Sequence, residues 1–268
     1  MRILVCVKIV PDNDMVLVSD WKQVHNFRNA NFKYVNKLIN IFDQNALELA
    51  LRIKDAMLLN GTTAEICILH AGDSTGDPFL KSTLSLHADA AFRIDCKGSD
   101  RDDPEKTAWK IEQAVQEIGP FDLVFFGMQA SPLDHAQTGL AFAERIGWPC
   151  ITHVSEVTLQ SGEAVVVHQN DYGMEKIQMS VPVVLVVGNT CGLSLRLPTL
   201  KDKLGTDQKK VEILTCSRGR NKEHILQRKR MVKMTARCSE RRSVIINAQK
   251  DEQKAVALLK MISDEANM

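Results

Sequence analysis

The chain has 268 residues, 44% of them hydrophobic and 25% charged, with a formal net charge of +1; this suits one large globular domain, or one with an appendage, and excludes wholesale disorder or a fibrous repeat. No apolar run approaches the roughly 20 residues that span a bilayer, and the opening MRILVCVKI is too short and, at Lys8, too charged for a secretory signal, so a cytoplasmic chain that is not membrane-embedded is expected. Seven scattered cysteines without a C-x-x-C pair, and seven histidines without an H-x-x-x-H pair, argue against a disulfide framework, a zinc site or an iron–sulfur cluster, so no metal is expected.

Strand and helix patterns alternate from the start. RILVCVKIV (2–10) is a continuous apolar run, the pattern of a strand buried on both faces. DQNALELALRIKDAMLL (43–59) carries Ala46, Ala50, Ile53 and Met57 at helical spacing, with Asp43 or Asn45 as a cap. Next come strand AEICILH (64–70), helix DPFLKSTLSLHA (77–88), strand AAFRI (90–94), helix PEKTAWKIEQAVQEI (104–118), strand DLVFF (122–126) and helix AQTGLAFAERI (136–146). HVSEVTLQ, EAVVVHQN and EKIQMSV then read as short strands joined by turn residues, and VPVVLVV (181–187) as another buried strand. The order predicts an α/β fold: a three-layer, mostly parallel sheet with an antiparallel annex.

Beyond about residue 190 the alternation ends. Arg218 to Arg242 holds ten Lys/Arg and two Glu, a charge of +8 that leaves the rest of the chain at −7, and a short helix, EQKAVALLKMI (252–262), closes the chain. The basic stretch has no interleaved aromatics and no nucleic-acid reader motif, so an extended arm that lies along a partner is expected, and no nucleic acid. The domain organisation expected is a nucleotide-binding α/β domain over residues 1–190 and a partner-recognition loop and arm over 191–268.

Several corners face the crevice outside the carboxyl ends of parallel strands, where such sheets bind ligands. They are Cys6–Val7–Lys8, the turn His70–Ala71–Gly72–Asp73, the stretch Asn40 to Ala46, and GMQASPLDHAQTG (127–139). The last loop holds no lysine, no arginine and no second glycine in phosphate-loop spacing. It offers an amide, a carboxylate, hydroxyls and backbone N–H groups. Taken alone, Asn40 and Asp43 are better explained as helix caps.

Together these pieces resemble a family. MRILVCVKIVPD, NIFDQNALELALRIKD, LKSTLSLHADAAFRI, DLVFFGMQASPLDHAQTGLAFAERIGWP, VPVVLVV and LRLPTLKDKL stand in the order and spacing of electron transfer flavoprotein beta subunits, over essentially the whole chain. The resemblance implies an adenine-nucleotide-binding, Rossmann-like domain that pairs with an alpha subunit carrying the redox-active FAD. It implies that the beta subunit itself holds AMP or, in the electron-bifurcating branch, a second FAD. The family's nucleotide contacts fall on Cys6 through its backbone, on Asn40, Ile41, Phe42 and Asp43, on Ala71, and on Gly127, Met128, Gln129, Ala130, Asp134, Ala136, Gln137 and Thr138. A phosphate there would be held by backbone N–H groups and the positive end of the helix that begins near Gln137, with the Thr138 hydroxyl as a further donor.

The chain also departs from the family. Ile41 replaces the usual proline, His87 stands at a glycine position and His168 at a Lys/Arg position. Where AMP-holding members carry acids and an asparagine, this loop has Pro132, Leu133 and Ala136. Ala136 beside Asp134 and Gln137 resembles the bifurcating or nitrogen-fixation-associated type, and the less charged, more apolar wall favours a second FAD over AMP. In LRLPTLKDKL, the resemblance makes Leu200 the apolar anchor for acyl-CoA dehydrogenase-type or other flavin dehydrogenases, with Pro198, Lys201 and Lys203 as its rim. Among rivals, a universal-stress-type nucleotide sensor shares the sheet but would lack the basic tail and partner loop. An adenylating enzyme needs an S-G-G-x-D-S-like loop where residues 8–13 read KIVPDN. With no nucleophile–base pair in the sequence, an electron carrier is expected rather than an enzyme.

Overall fold

A computed structural model describes residues 1–17, 34–96, 103–131, 133–188, 193–206, 209–215 and 244–266. The chain divides into two compact units, Met1–Val16 with Phe32–Arg230, and Leu17–Asn31 with Met231–Met268. In chain order the strands are β1 (Arg2–Val7), β2 (Ile9–Pro11), β3 (Lys37–Ile39), β4 (Glu65–Gly72), β5 (Ala90–Asp95), β6 (Leu123–Gly127), β7 (Cys150–Gln160), β8 (Glu163–Asn170), β9 (Gly173–Met179), β10 (Val183–Val187) and β11 (Glu212–Leu214). The helices are α1 (Ile41–Leu59), α2 (Asp77–Leu84), α3 (Pro104–Ile118), α4 (Thr138–Ile146), α5 (Leu200–Gly205) and α6 (Asp251–Ala266), the last being the described helix of the second unit.

Nine strands form one sheet in the order β11-β5-β4-β1-β6-β10-β7-β8-β9. Pairing is parallel from β11 through β7, and β7–β8–β9 form the antiparallel annex. Continuous apolar runs became the central strands because both faces are covered: successive residues Ile3, Leu4 and Val5 are all fully buried. Alternate residues enter different cores. Ile3 and Val5 pack with Leu47 and Leu51 of α1 and Leu80 of α2, whereas Leu4 packs with Ile111 of α3 and Phe142 of α4. The three-layer α/β architecture read from the sequence is the one observed.

The run 2–10 is not one strand, however. It breaks at Lys8, whose N–H donates to the Asp43 carboxylate rather than to a neighbouring strand, and Ile9–Pro11 pairs instead with Lys37–Ile39 in a small antiparallel sheet. Helix α1 begins at Ile41, two residues before the expected start, and α2 ends at Leu84, before the expected Ala88. Among the described helices, none is long and apolar enough to cross a membrane. The expected basic arm, Arg218 to Arg242, lies outside the described residues.

The chain leaves β1 toward β4 on one side and returns to place β6 on the other. Between these two strands lies the topological switch point, with a crevice outside their carboxyl ends. Gly139 brings α4 down to that crevice. A Cβ on it would sit 2.8 Å from Val186 Cγ2 and 3.2 Å from Phe126 Cβ, inside ordinary contact. Gly139→Ala is therefore expected to overpack the α4–sheet contact and cost about 1–3 kcal/mol, read as a lowered melting temperature with an unchanged far-UV circular dichroism spectrum.

Candidate functional site

Asp43, in the first turn of α1, organises the crevice. Its Oδ2 accepts the Lys8 N–H at 2.8 Å and its Oδ1 accepts the Gly127 N–H at 3.0 Å. One carboxylate thus joins the ends of β1 and β6 to the start of a helix. Gly127 is required because a Cβ there would overlap the carboxylate and Phe42 Cβ. Burial pushes the Asp43 carboxyl up from 3.8 to about 7, although the Lys8 N–H, the Asn40 amide and the Gly127 N–H all favour the charged form. Burial, and then the charge of Asp43, hold the Cys6 thiol well above its usual range, so it stands in the wall as a neutral apolar group.

Asn40 occupies the N-cap position of α1 but makes no side-chain cap bond; its Nδ2 donates to the Gln129 carbonyl at 2.9 Å. Neither Asn40 nor Asp43 is the simple helix cap that the local pattern favours: both side chains reach across to other segments. His70 Nδ1 donates to the Val7 carbonyl at 2.9 Å, joining the ends of β1 and β4, and the Asn13 amide bonds the Ser131 hydroxyl from the turn after β2.

The crevice so framed is a cleft of about 110 Å³. It is lined by Cys6, Asp43, Ala71, Gly127, Met128, Gln129, Ala130, Ala136, Gln137 and Thr138 from the residues singled out in the sequence. The others stand apart from the lining. Asn40 holds the Gln129 carbonyl, Ile41 is exposed, Phe42 is half-buried, and Asp134 sits on an exposed turn with φ +44°. Pro132 lies outside the described residues.

Three further sources of lining lie beyond the expected nucleotide contacts. Lys8 contributes a cation that the loop itself lacks, although it stands in the quoted first corner. Pro104, Thr107 and Ile111 come from one face of α3. Helical periodicity marks that face as covered without naming what lies opposite. Leu133 and His135 come from the loop itself. Helix α4 opens onto the cleft at Thr138, and its N-cap residue Gln137 makes no side-chain cap bond. The first-turn amides and the positive helix end favour negative charge at this end of the cleft. Ala136, with φ +53°, turns the backbone just before them.

A second feature is the segment from Leu193 to Thr206. Leu193 and Leu195 pack against the core formed with α1. Arg196 is clamped onto α1: its Nη2 lies 3.0 Å from Glu48 Oε1, its Nη1 lies 2.8 Å from Asp55, and its N–H donates to Glu48 Oε2 at 3.2 Å. The Glu48 side chain is only 6% exposed. Burial acts to raise its pKa, but the hydrogen bonds from Arg196 outweigh it and hold the carboxyl below its ordinary value. Past this clamp the chain becomes exposed. A reciprocal capping box between Thr199 and Asp202 starts α5, a T-x-x-D signal visible in the sequence. Leu200 is 73% exposed, and Leu197, just before Pro198, is 90% exposed and was missed as a candidate.

An electron transfer flavoprotein domain profile matches residues 32–217. The caffeyl-CoA reductase–Etf complex subunit CarD of Acetobacterium woodii is 31% identical over 198 residues, covering 74% of this chain and 71% of that protein. An electron transfer flavoprotein subunit beta of Megasphaera elsdenii is 29% identical over 217 residues, covering 79% and 77%. A putative electron transfer flavoprotein subunit, YgcR of Escherichia coli, is 25% identical over 212 residues, covering 79% and 80%.

The Asp43 junction has a measurable consequence. Folding raises this carboxyl, so its proton stabilises the native state fully below about pH 4, and that contribution is lost as pH rises through about 7. Asp43→Asn places an amide NH2 against a backbone N–H and is expected to cost about 1–3 kcal/mol. Thermal melts of both proteins should show the deficit of the variant narrowing as pH rises from about 5 to about 8; a constant deficit would show that the carboxyl is ionised throughout.

Proposed function

We propose, given that this chain belongs to the electron transfer flavoprotein family and matches its beta subunits, that it is the non-catalytic half of a two-subunit electron carrier and holds a nucleotide in the switch-point cleft. The observation that carries the reading is the cleft itself. The ends of β1, β4 and β6 and the N-terminal turn of α4 converge there, which is the arrangement that anchors a phosphate without a phosphate loop. The universal-stress-type reading is not favoured, because the family match runs through the docking segment as well as the sheet.

In this reading the α4 amides and the Thr138 hydroxyl hold the phosphate end, Lys8 adds positive charge, and Gln129 or Asp134 meets the ribose or base. Asn40 and Asp43 fix the cleft's floor rather than contacting ligand by charge. Family members are flavoproteins, and a bound flavin supplies reversible electron uptake and release that no amino-acid side chain here provides. An alpha-type subunit would carry the redox-active FAD. The nucleotide in this chain would be AMP or a second FAD. Leu133, Met128 and Ile111 give the cleft an apolar wall, which supports the second FAD, since its isoalloxazine ring adds apolar surface to bury there beyond the adenine that AMP also has. A cleft of about 110 Å³ is smaller than a typical ligand site of about 300–1,000 Å³, in keeping with a site completed by a partner surface.

Residues 191–268 would serve recognition: the exposed leucines of the α5 segment dock a flavin dehydrogenase, of the acyl-CoA type or another, and the +8 stretch Arg218–Arg242 lies along the alpha-type subunit.

Denaturing the purified heterodimer and quantifying released nucleotides tests the cleft. Two FAD per pair is expected, one FAD with one AMP would assign AMP, and one FAD alone would overturn the site. Thr138→Val should lower occupancy of this site and spare the alpha-subunit flavin. Leu200→Ala should weaken dehydrogenase docking by roughly 1–3 kcal/mol with the flavin spectrum unchanged; unaltered transfer rates with every partner would remove Leu200 from the docking role.

A further inference from the structure

Helix α5 has six residues and buries none of its side chains. Upstream it is held by the Arg196 clamp, and downstream by β11, which pairs in parallel with β5. Between these anchors its orientation depends on polar contacts. Asp202 lies about 200° around the helix from both Leu200 and Leu204. Its side chain is 22% exposed, against 73% for Leu200 and 66% for Leu204, so acid and leucines occupy opposite faces.

The two oxygens of Asp202 are divided between two duties. Oδ2 accepts the Thr199 N–H at 2.9 Å and the Thr199 hydroxyl in the capping box. Oδ1 lies 3.7 Å from His87 Nε2. His87 follows the end of α2 with φ +73°, where Ala88 N–H turns back to the Thr83 carbonyl at 3.3 Å. Glycine occupies such a helix-ending left-handed position without penalty, and a histidine does not. The residue at this strained position is the one whose ring reaches the exposed helix.

We propose that His87 is a positioning residue that holds α5 against the body of the protein through Asp202, so that Leu200 and Leu204 face outward. The proposal rests on the docking role given above to the α5 segment. The charged groups around the ring are Lys201 and Asp202 of α5, Lys54 and Asp55 of α1, Asp89 before β5, and Lys209. Lys54 is paired with Asp89 at 2.6 Å and Asp55 with Arg196 at 2.8 Å, while Asp202 Oδ1 faces the imidazole.

The test uses the heterodimer with its alpha-type subunit and reads amide hydrogen exchange over residues 199–206 at one fixed pH. His87→Gly relieves the left-handed backbone, so its melting temperature should equal or exceed that of the wild type. Its α5 amides should nevertheless exchange about two- to five-fold faster, the range an exposed pair supports. Asp202→Asn should give a similar increase, and the double variant no further one. With an acyl-CoA dehydrogenase-type flavoenzyme as electron donor, His87→Gly should raise KM by a similar factor and leave kcat unchanged. Unchanged α5 exchange in His87→Gly overturns the positioning role. An unchanged KM in Leu200→Ala overturns the docking reading instead, and the exchange data then judge the His87–Asp202 tie separately.

Discussion

One buried carboxylate holds the functional end of this protein together. Asp43 binds the N–H groups of Lys8 and Gly127 at once, so the two strands flanking the switch point and the first turn of α1 are fixed in a single junction. The consequences spread outward from it. β1 is forced to stop at Val7, the chain turns into the small β2–β3 sheet, and residue 127 can tolerate no side chain. Asn40, one turn away, locks the following loop through the Gln129 carbonyl. Without the junction, the backbone donors near Thr138 would have no fixed floor to face.

Helix α1 carries this order to a second place. It spans 19 residues, about 28 Å at 1.5 Å per residue. Asp43 lies at its start, Glu48 receives Arg196 from the root of the proposed docking segment, and Asp55 receives the same guanidinium farther along. A single rod thus fixes the spacing between cleft and docking segment. Removing one member of the Glu48–Arg196 pair would strand a nearly buried charge, which makes this joint much firmer than an exposed ion pair.

Much of the sheet was legible because strands buried on both faces leave uninterrupted apolar runs, as in ILV at 3–5 and VVLVV at 183–187. What escaped depended on partners distant in sequence. The three-residue strands β2, β3 and β11 exist through pairing and carry no pattern of their own. Asn40 and Asp43 look like helix caps locally, and only the approach of β6 and its loop gives them other roles. Thr107 and Ile111 sit on an ordinary amphipathic helix whose apolar face happens to overlook the cleft. In the docking segment, the family resemblance drew attention to Leu200, while the more exposed Leu197 is distinguished by its position before Pro198, which no periodicity marks.

The bareness of α5 bears on how such a protein diversifies. A six-residue helix that buries no side chain contributes nothing to the core, while its neighbours on both sides are anchored by the Arg196 clamp and by pairing on β5. Substitutions on its outer face are therefore nearly neutral for folding, as is usual for exposed segments on a rigid scaffold. Under the proposed docking role, Leu200, Lys203 and Leu204 can be exchanged to suit a different redox partner without disturbing the cleft, which Asp43 holds at the other end of α1.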